Sequence, residues 1–347
     1  MSGIIERYRA YLDLGDIPAV TLGEGGTPLV HWATWGIQDI YLKLEGTNPT
    51  GSFKDRGMTV AVSVAKAQGA RGVICASTGN TAASAAAYAA RAGLPAFVVV
   101  PEGRVTREKM MQALAHGAKT LSVSGNFDQA LAAVRRLAQE RGDIALVNSV
   151  NPWRLRGQET GAYEIVDELG APPAALVLPV GNAGNISAYF HGFRRYGRGI
   201  PQMFGIQAAG AAAMVEGRDL ENPETIATAI RIGKPASRHL AQEAVLVSQG
   251  QFLAVSDQDI LRAQQELAHG GVFVEPASAT AYAGLKVLRD RGALPPGPIV
   301  AILTGTGLKD GQTPFQWIDQ TTYPTSADAL GSHIERLLEE GAARVAH

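Results

Sequence analysis

Short, continuous apolar segments recur along most of the chain, and longer stretches with apolar residues at helical spacing lie between them. Continuous apolar strands that alternate with helices are typical of parallel sheets covered by helices on both faces. The sequence therefore predicts an α/β protein built from doubly wound, parallel-type αβα layers. The predicted strands are 40–44, 72–76, 96–100, 119–123, 144–148, 175–180, 203–207, 252–255 and 298–304.

A turn-rich patch separates strand 40–44 from a helix that is predicted to begin near Phe53. Ser52 stands where the N-cap residue of that helix is expected, and Lys54 falls in its first turn. The positive end of the helix dipole, together with some burial, lowers the pKa of a lysine and makes its amine a better nucleophile. A solvated surface lysine is the alternative interpretation, and from the position alone it is the commoner case.

The residues around Lys54 decide between these interpretations. Segment 48–57 has the sequence Asn-Pro-Thr-Gly-Ser-Phe-Lys-Asp-Arg-Gly. It resembles the lysine segment of the fold type II pyridoxal-phosphate enzymes, and within them it is most similar to that of the threonine synthases. In that family the lysine at this position forms the Schiff base with the cofactor. The resemblance implies pyridoxal 5'-phosphate as the cofactor and Lys54 as the catalytic residue that holds it.

The resemblance also implies how the chain divides into domains. Fold type II enzymes, such as the tryptophan synthase β subunit, consist of two αβα domains, with the smaller inserted in the larger. Residues 50–150 are therefore expected to form the small inserted domain, and residues 1–49 and 151–347 the large cofactor-binding domain. The cofactor is expected between the two, outside the carboxyl ends of the strands, where ligands bind in open α/β sheets.

A glycine-rich turn, Gly-Asn-Ala-Gly-Asn, follows strand 175–180 and precedes a predicted helix. The backbone N–H groups of such a turn and the helix dipole can form an anion site, although a turn without a ligand is equally open on this pattern alone. The turn is similar to the cofactor-phosphate loop of threonine synthases, whereas threonine dehydratases and cysteine synthases usually carry a more glycine-dense loop. The resemblance implies cofactor contacts for Gly181, Asn182, Ala183, Gly184 and Asn185.

The turn Ser-Thr-Gly-Asn-Thr follows strand 72–76 and can cap the next helix. It also resembles the substrate-binding loop of the family, and the two interpretations are compatible. The resemblance implies that Asn80 reaches the ring hydroxyl of the cofactor. It further implies substrate contacts for Ser77, Thr78 and Thr81.

Thr304 ends strand 298–304 and is followed by a glycine-rich turn. It matches the family's hydroxyl that hydrogen-bonds the pyridine nitrogen of the cofactor. A hydroxyl does not force protonation of that nitrogen as a carboxylate would, which suits eliminations and replacements better than transamination. Segment 275–279, Glu-Pro-Ala-Ser-Ala, also matches the family, but we interpret its residues as a structural helix start.

A second anion pocket is predicted after strand 144–148. Segment 148–154, Asn-Ser-Val-Asn-Pro-Trp-Arg, is similar to a threonine synthase segment in which the first Asn and the Arg contact the substrate phosphate. The resemblance therefore implies phosphate contacts for Asn148 and Arg154, with Asn182 as a further substrate contact. Arginine suits this role because its planar fork of donors matches phosphate. The neighbouring Arg156 is interpreted as structural.

Composition and charge exclude several other classes of protein. The 347 residues include 31 basic and 32 acidic ones, and the formal net charge of −1 gives no electrostatic reason to bind nucleic acid or an anionic membrane. No apolar run approaches the length of a bilayer span. The single cysteine, Cys75, excludes an internal disulfide and a cysteine-based metal site, and the histidines show no metal-binding spacing. We expect a cytoplasmic protein that binds no metal.

The resemblance extends from about residue 21 to residue 309. It implies conversion of O-phospho-L-homoserine and water to L-threonine and phosphate, by γ-elimination of phosphate and β-addition of water, in a homodimer. A threonine or serine dehydratase, a cysteine synthase-like lyase and a non-catalytic cofactor-binding homologue are the alternatives. The predicted phosphate pocket counts against the first, the 181–185 turn against the second, and intact Lys54, Asn80 and Thr304 against the third.

Overall fold

The computed structural model describes residues 2–102, 107–125, 127–318 and 321–345. Its strands form two sheets, one of six strands and one of four. The strands are β1 (Leu29–Trp35), β2 (Gln38–Leu44), β3 (Gly72–Ala76), β4 (Ala96–Pro101), β5 (Lys119–Val123), β6 (Ile144–Leu146), β7 (Ala175–Pro179), β8 (Gln202–Ala208), β9 (Gln251–Val255) and β10 (Ile299–Leu303).

Both sheets are parallel except at one edge of the larger. The six-stranded sheet has the order β1-β2-β10-β7-β8-β9, and the four-stranded sheet has the order β5-β4-β3-β6. β1 pairs antiparallel with β2, and every other pair is parallel. The predicted parallel α/β architecture is confirmed, while the antiparallel edge strand β1 was not predicted.

Side chains that alternate along the central strands fill a separate core on each face of the sheet. In β7, Leu176 and Leu178 pack into one apolar cluster, whereas Ala175 and Val177 pack into another. Burial on both faces is the reason why these strands are continuous apolar runs. The helices are α1 (Ile4–Leu12), α2 (Lys54–Ala67), α3 (Asn80–Ala92), α4 (Arg107–Ala115), α5 (Phe127–Arg141), α6 (Pro152–Gln158), α7 (Thr160–Leu169), α8 (Gly184–Tyr196), α9 (Arg238–Val247), α10 (Asp257–His269), α11 (Pro276–Asp290) and α12 (Leu330–Val345).

Helix α2 begins at Lys54, and Phe53 takes the N-cap position, so the prediction that Ser52 caps this helix is wrong. Ser52 instead forms an isolated antiparallel bridge with Gly305. The N–H of Phe53 donates a hydrogen bond to the carbonyl oxygen of Thr304 at 2.9 Å. Backbone contacts with the segment that follows β10, and no side-chain cap, therefore fix where α2 begins.

Helices α2 and α6 cross at two glycines. A Cβ atom on Gly157 would lie 2.0 Å from the carbonyl oxygen of Arg56, and one on Gly57 would lie 2.6 Å from that of Arg154. There is no room for a side chain at this crossing, so the two backbones pack directly against each other. The crossing brings Lys54, at the start of α2, within the electrostatic influence of Arg154 on α6.

Gly157→Ala is expected to lower the free energy of unfolding by about 1–3 kcal/mol, because the added methyl group overpacks the crossing. The better helix propensity of alanine, about 1 kcal/mol, offsets only part of this loss. Urea unfolding measures the change. The control is Gly331→Ala in α12, where a Cβ atom meets nothing within 4 Å. Equal loss of stability in both variants would contradict the close crossing.

A buried ion network joins α2 to β2 and α7. The Arg56 guanidinium donates to Glu45 at 2.7 and 2.8 Å and to Glu164 at 3.0 and 2.6 Å. Burial alone would raise the pKa of Glu164, but Arg56 and Lys43 hold it well below its usual range. Since breaking a buried pair leaves an uncompensated charge, this network fixes the segments on which α2 rests.

Contacts divide the chain into two compact units, residues 1–313 and 314–347. The second unit contains α12, on which Leu330, Ile334 and Leu338 are exposed. In the parts of the chain that the structure describes, no helix has the length and apolar character that crossing a membrane requires. The predicted domain boundaries after residues 49 and 150 stay predictions.

Candidate active site

The predicted polar turns lie at corresponding edges of the two sheets. β7 and β10 are parallel neighbours, so their carboxyl ends meet at one edge of the large sheet. Turn 181–185 follows β7, and Thr304 follows β10 directly. In the small sheet, β3 and β6 are likewise parallel neighbours, and segments 77–81 and 147–154 follow them. The topology therefore gathers these segments into two groups, one at an edge of each sheet.

Lys54 is half-buried beside the end of β10. Its ammonium lies 4.3 Å from the centroid of the Phe53 ring, and it makes no hydrogen bond or ion pair with any residue that the structure describes. Burial lowers the pKa of Lys54 to about 7, helped by the positive charge of Arg154 and opposed by Glu275. A substantial fraction of the amine is therefore unprotonated near neutral pH, as a nucleophile or general base requires.

Turn 181–185 has the backbone of an anion-binding loop. Ala183 adopts a left-handed conformation, with φ at 65°, which is strained for a residue with a side chain. Helix α8 begins at Gly184, so its free N–H groups and its dipole face the turn. Both polar side-chain atoms of Asn185 are buried and have no hydrogen-bond partner among the described residues. Such groups are normally satisfied, and a polar ligand would satisfy them here.

Packing gives a second reason for the small residues of this turn. A Cβ atom on Gly181 would lie 2.9 Å from the Cα atom of Ile230, so the turn abuts the backbone of segment 228–230. The carbonyl oxygen of Asn182 accepts a hydrogen bond from the N–H of Ser237 at 3.0 Å. Neighbouring segments therefore fix the conformation of the turn, which does not depend on a ligand alone.

Asn80 and Thr304 both contact the start of α11. Asn80 Nδ2 donates to the two carboxylate oxygens of Glu275 at 3.0 and 3.2 Å. The hydroxyls of Thr304 and Ser278 share a hydrogen bond of 3.0 Å. Glu275 does stand directly before α11, as its interpretation as a helix start requires, but its buried carboxylate also belongs to this cluster. Sequence reasoning missed this part of its role.

The predicted substrate residues lie around the end of β3. The side-chain amide of Asn148 exchanges two hydrogen bonds of 2.9 Å with the backbone of Ala76, and so joins the segments that follow β3 and β6. The hydroxyl of Ser77 accepts a hydrogen bond of 3.2 Å from the N–H two residues further on. Thr78 and Thr81 are half-buried. Substrate contacts for these residues stay predictions.

Arg154 is fully buried and only partly paired. Its Nη1 donates to the carbonyl oxygen of Val147 at 3.2 Å, whereas Nε and Nη2 have no partner within the described ranges. Burial lowers its pKa to about 10, so the guanidinium stays charged at neutral pH. A buried cation with free donors is unfavourable unless an anion pairs with it. Arg156, in contrast, forms ion pairs with Asp13 and Glu159 at 3.0 and 3.3 Å.

These residues fit pyridoxal phosphate. The cofactor requires a reactive amine, an anion-binding turn for its phosphate and a group beside its ring nitrogen. Lys54, turn 181–185 and Thr304 would supply these three. Buried polar atoms without a described partner occur on Asn185 and also on Ser52, two residues before the amine. Such orphaned atoms are expected where a polar ligand completes a site.

Comparison with known proteins identifies the family and agrees with the fold. The family described as "Pyridoxal-phosphate dependent enzyme" matches residues 20–305. The crystal structure of O-acetyl serine sulfhydrylase isoform 3 from Entamoeba histolytica superimposes with a TM-score of 0.74 at 22% identity, and the match covers 86% of this chain and 91% of that one. At this identity the structural likeness shows the shared fold alone.

Two relatives with higher sequence identity show which kind of pyridoxal-phosphate dependent enzyme the chain resembles. A threonine synthase from Halalkalibacterium halodurans is 50% identical over 346 residues, which cover 96% of this chain and 97% of the relative. A threonine synthase from Mycobacterium tuberculosis is 53% identical over 90% of this chain and 89% of the relative. The chain therefore belongs to the pyridoxal-phosphate dependent enzymes, and within them to the threonine synthase family. Pyridoxal phosphate is its cofactor.

Proposed function

We propose that this enzyme converts O-phospho-L-homoserine and water to L-threonine and phosphate. Threonine synthases at 50% and 53% identity over most of the chain support this assignment. The observation that carries it is the buried guanidinium of Arg154, whose Nε and Nη2 have no partner in the described part of the chain. A phosphorylated substrate supplies an anion for this group in addition to its α-carboxylate, whereas the substrate of a threonine or serine dehydratase carries the α-carboxylate alone.

The cofactor would be held from three sides. Lys54 would hold it covalently, turn 181–185 would bind its phosphate, and Asn80 and Thr304 would contact its ring. Once bound, the cofactor supplies an electron sink for the pair of electrons left at the substrate α-carbon. Arg154 and Asn148 would bind the substrate phosphate. Asn148 is hydrogen-bonded to the backbone of Ala76, so it would also hold the segment that carries Ser77.

Lys54 would act as the general base that takes the proton from the α-carbon of the substrate. A pKa of about 7 suits this task, because the amine is then largely free to accept a proton and its conjugate acid can still return one. Loss of phosphate from the γ-carbon and addition of water at the β-carbon require further proton transfers. Lys54 and the departing phosphate are the two candidates for these steps.

The purified enzyme, loaded with pyridoxal phosphate, is expected to release phosphate and form threonine in equal amounts from O-phosphohomoserine. Both products are quantified in the same reaction. A 2-oxo acid formed from threonine, without turnover of phosphohomoserine, would move the assignment to a dehydratase and remove the proposed role of Arg154. If the enzyme turns over only an O-activated serine with sulfide, it is a cysteine synthase instead. If it turns over none of these substrates, it is a non-catalytic homologue.

The predicted domains, oligomer and location belong to the same proposal. The four strands of the small sheet all lie between residues 72 and 146, which supports an inserted small domain over residues 50–150. The buried, unbridged thiol of Cys75 is consistent with the reducing environment of the cytoplasm. Analytical ultracentrifugation of the loaded enzyme tests the homodimer.

A further inference from the structure

The first turn of α11 contacts both residues proposed to hold the cofactor ring. Glu275, with 6% of its surface exposed, accepts two hydrogen bonds from Asn80 Nδ2. Ser278 accepts a hydrogen bond of 2.7 Å from the N–H of Gly305 and shares another with Thr304. The N–H of Glu275 in turn donates to the carbonyl oxygen of Gly305 at 3.2 Å. The segment 275–278 is therefore anchored to the end of β10.

A carboxylate on Glu275 restricts the amide of Asn80 to one orientation. An ionised carboxylate only accepts hydrogen bonds, so it must face Nδ2 and cannot face Oδ1 of the amide. Nδ2 carries two hydrogen atoms, and one of them is sufficient for the shared contact with the two carboxylate oxygens. The second N–H of Asn80 is then presented in a fixed direction. Without the carboxylate, the amide is free to turn and present its oxygen instead.

We propose that Glu275 is a positioning residue, which orients Asn80 so that its free N–H meets the ring oxygen of the cofactor. This inference rests on the cofactor site of the proposed function. Asn80 begins α3, which follows β3 of the small sheet, and Glu275 stands before α11, which precedes β10 of the large sheet. Their contact therefore also fixes the distance between the site residues that follow the two sheets. Glu275 acts through Asn80 and does not itself touch the reacting atoms.

The charge of Glu275 depends on the groups that surround it. Burial raises its pKa to about 7. The hydrogen bonds from Asn80 on α3, and the positive charges of Lys309 after β10 and Lys54 on α2, oppose this rise. Asp310, next to Lys309, adds to the rise. As the pH falls through about 7, Glu275 takes up a proton and is able to donate to Asn80 Oδ1. The affinity for the cofactor is therefore expected to weaken as the pH falls across this range.

A double-mutant cycle on cofactor binding tests this proposal. Glu275→Gln keeps the size of the side chain, but its amide is able to face Asn80 in either orientation. In titrations of the cofactor-free protein with pyridoxal phosphate, Glu275→Gln is expected to raise Kd about tenfold, as for one lost charge-assisted hydrogen bond. In the Asn80→Ala background, the same substitution is expected to change Kd by less than about twofold. An equal effect in both backgrounds would overturn the proposal.

Two further comparisons separate positioning from a general change of charge or fold. Neutralising Glu275 also alters Lys54, but that change is present in both backgrounds and cancels in the cycle. Asp310 affects the pKa of Glu275 through its charge. Asp310→Asn removes that charge and leaves the contact with Asn80 intact, so its Kd is expected to stay within about twofold of the parent value. Lys54 titrates in the same pH range and keeps part of the pH dependence of Kd in every variant. The part that Glu275 adds is expected to be lost in Glu275→Gln and restored in Glu275→Asp. Since cofactor binding is measured without substrate, failure of this inference is distinguishable from failure of the proposed reaction.

Discussion

Lys54→Ala is expected to lower the rate of threonine formation by at least about 10⁴-fold, because it removes both the covalent anchor of the cofactor and the general base. The variant is also expected to lose the visible absorption that the bound cofactor shows in the parent enzyme. Its fold should be unaffected, since the ammonium makes no hydrogen bond or ion pair with the described residues. Phosphate release, absorption spectra and thermal unfolding measure these three quantities.

Lys66→Ala is the matched control for this variant. Lys66 lies on the same helix, α2, where its ammonium donates to the carbonyl oxygen of Ala92 at 2.8 Å, and its side chain is exposed. The control is expected to keep full activity. A small primary amine added to Lys54→Ala is expected to restore part of the turnover, because it supplies the missing base. Turnover of Lys54→Ala near the parent rate would refute the assignment of Lys54 as anchor and base.

Strands 72–76 and 119–123 have the bounds that the sequence predicted. They differ in burial, because 119–123 is an edge strand whose residues are mostly exposed. In β3, every residue is buried, so the apolar run ends where the strand ends. β1 was missed because it is an edge strand with mixed exposure, and its sequence Leu-Val-His-Trp-Ala-Thr-Trp has neither a continuous apolar run nor a clear alternation. A segment with neither pattern gives periodicity nothing to detect.

The site was predictable where a polar turn follows a strand, and not where distant segments meet. Turn 181–185 and Thr304 each follow a predicted parallel strand, where ligands commonly bind. That pattern alone left a turn without a ligand equally open, and the family resemblance supplied the roles expected of both. The contact between Asn80 and Glu275 joins residues 195 positions apart, and nothing in either local sequence indicates it. The N-cap prediction for Ser52 was wrong for a related reason, since pairing with Gly305 occupies its backbone. Local preference was overridden by tertiary contacts in both places.

In the proposed site, Arg154 is a residue that costs stability in the protein without ligand and would serve binding. Its guanidinium is fully buried and close enough to Lys54 to lower the pKa of that amine, yet two of its nitrogen atoms have no partner in the described residues. Replacing a buried charge that lacks an ionic partner by an apolar side chain of similar length removes an unfavourable desolvation. Active sites commonly retain such unfavourable groups because the ligand completes them.

Arg154→Met is therefore expected to raise the stability of the cofactor-free protein by about 1–4 kcal/mol and, at the same time, to lower kcat/KM for O-phosphohomoserine by about 10²–10³-fold. Inhibition by inorganic phosphate should weaken in parallel. Arg156→Met is the control: its ion pairs are partly exposed, so it should change stability by less than about 1 kcal/mol and activity by about twofold at most. A gain in stability rules out misfolding as the cause of lost activity. Retained kcat/KM in Arg154→Met would show that the substrate phosphate binds elsewhere.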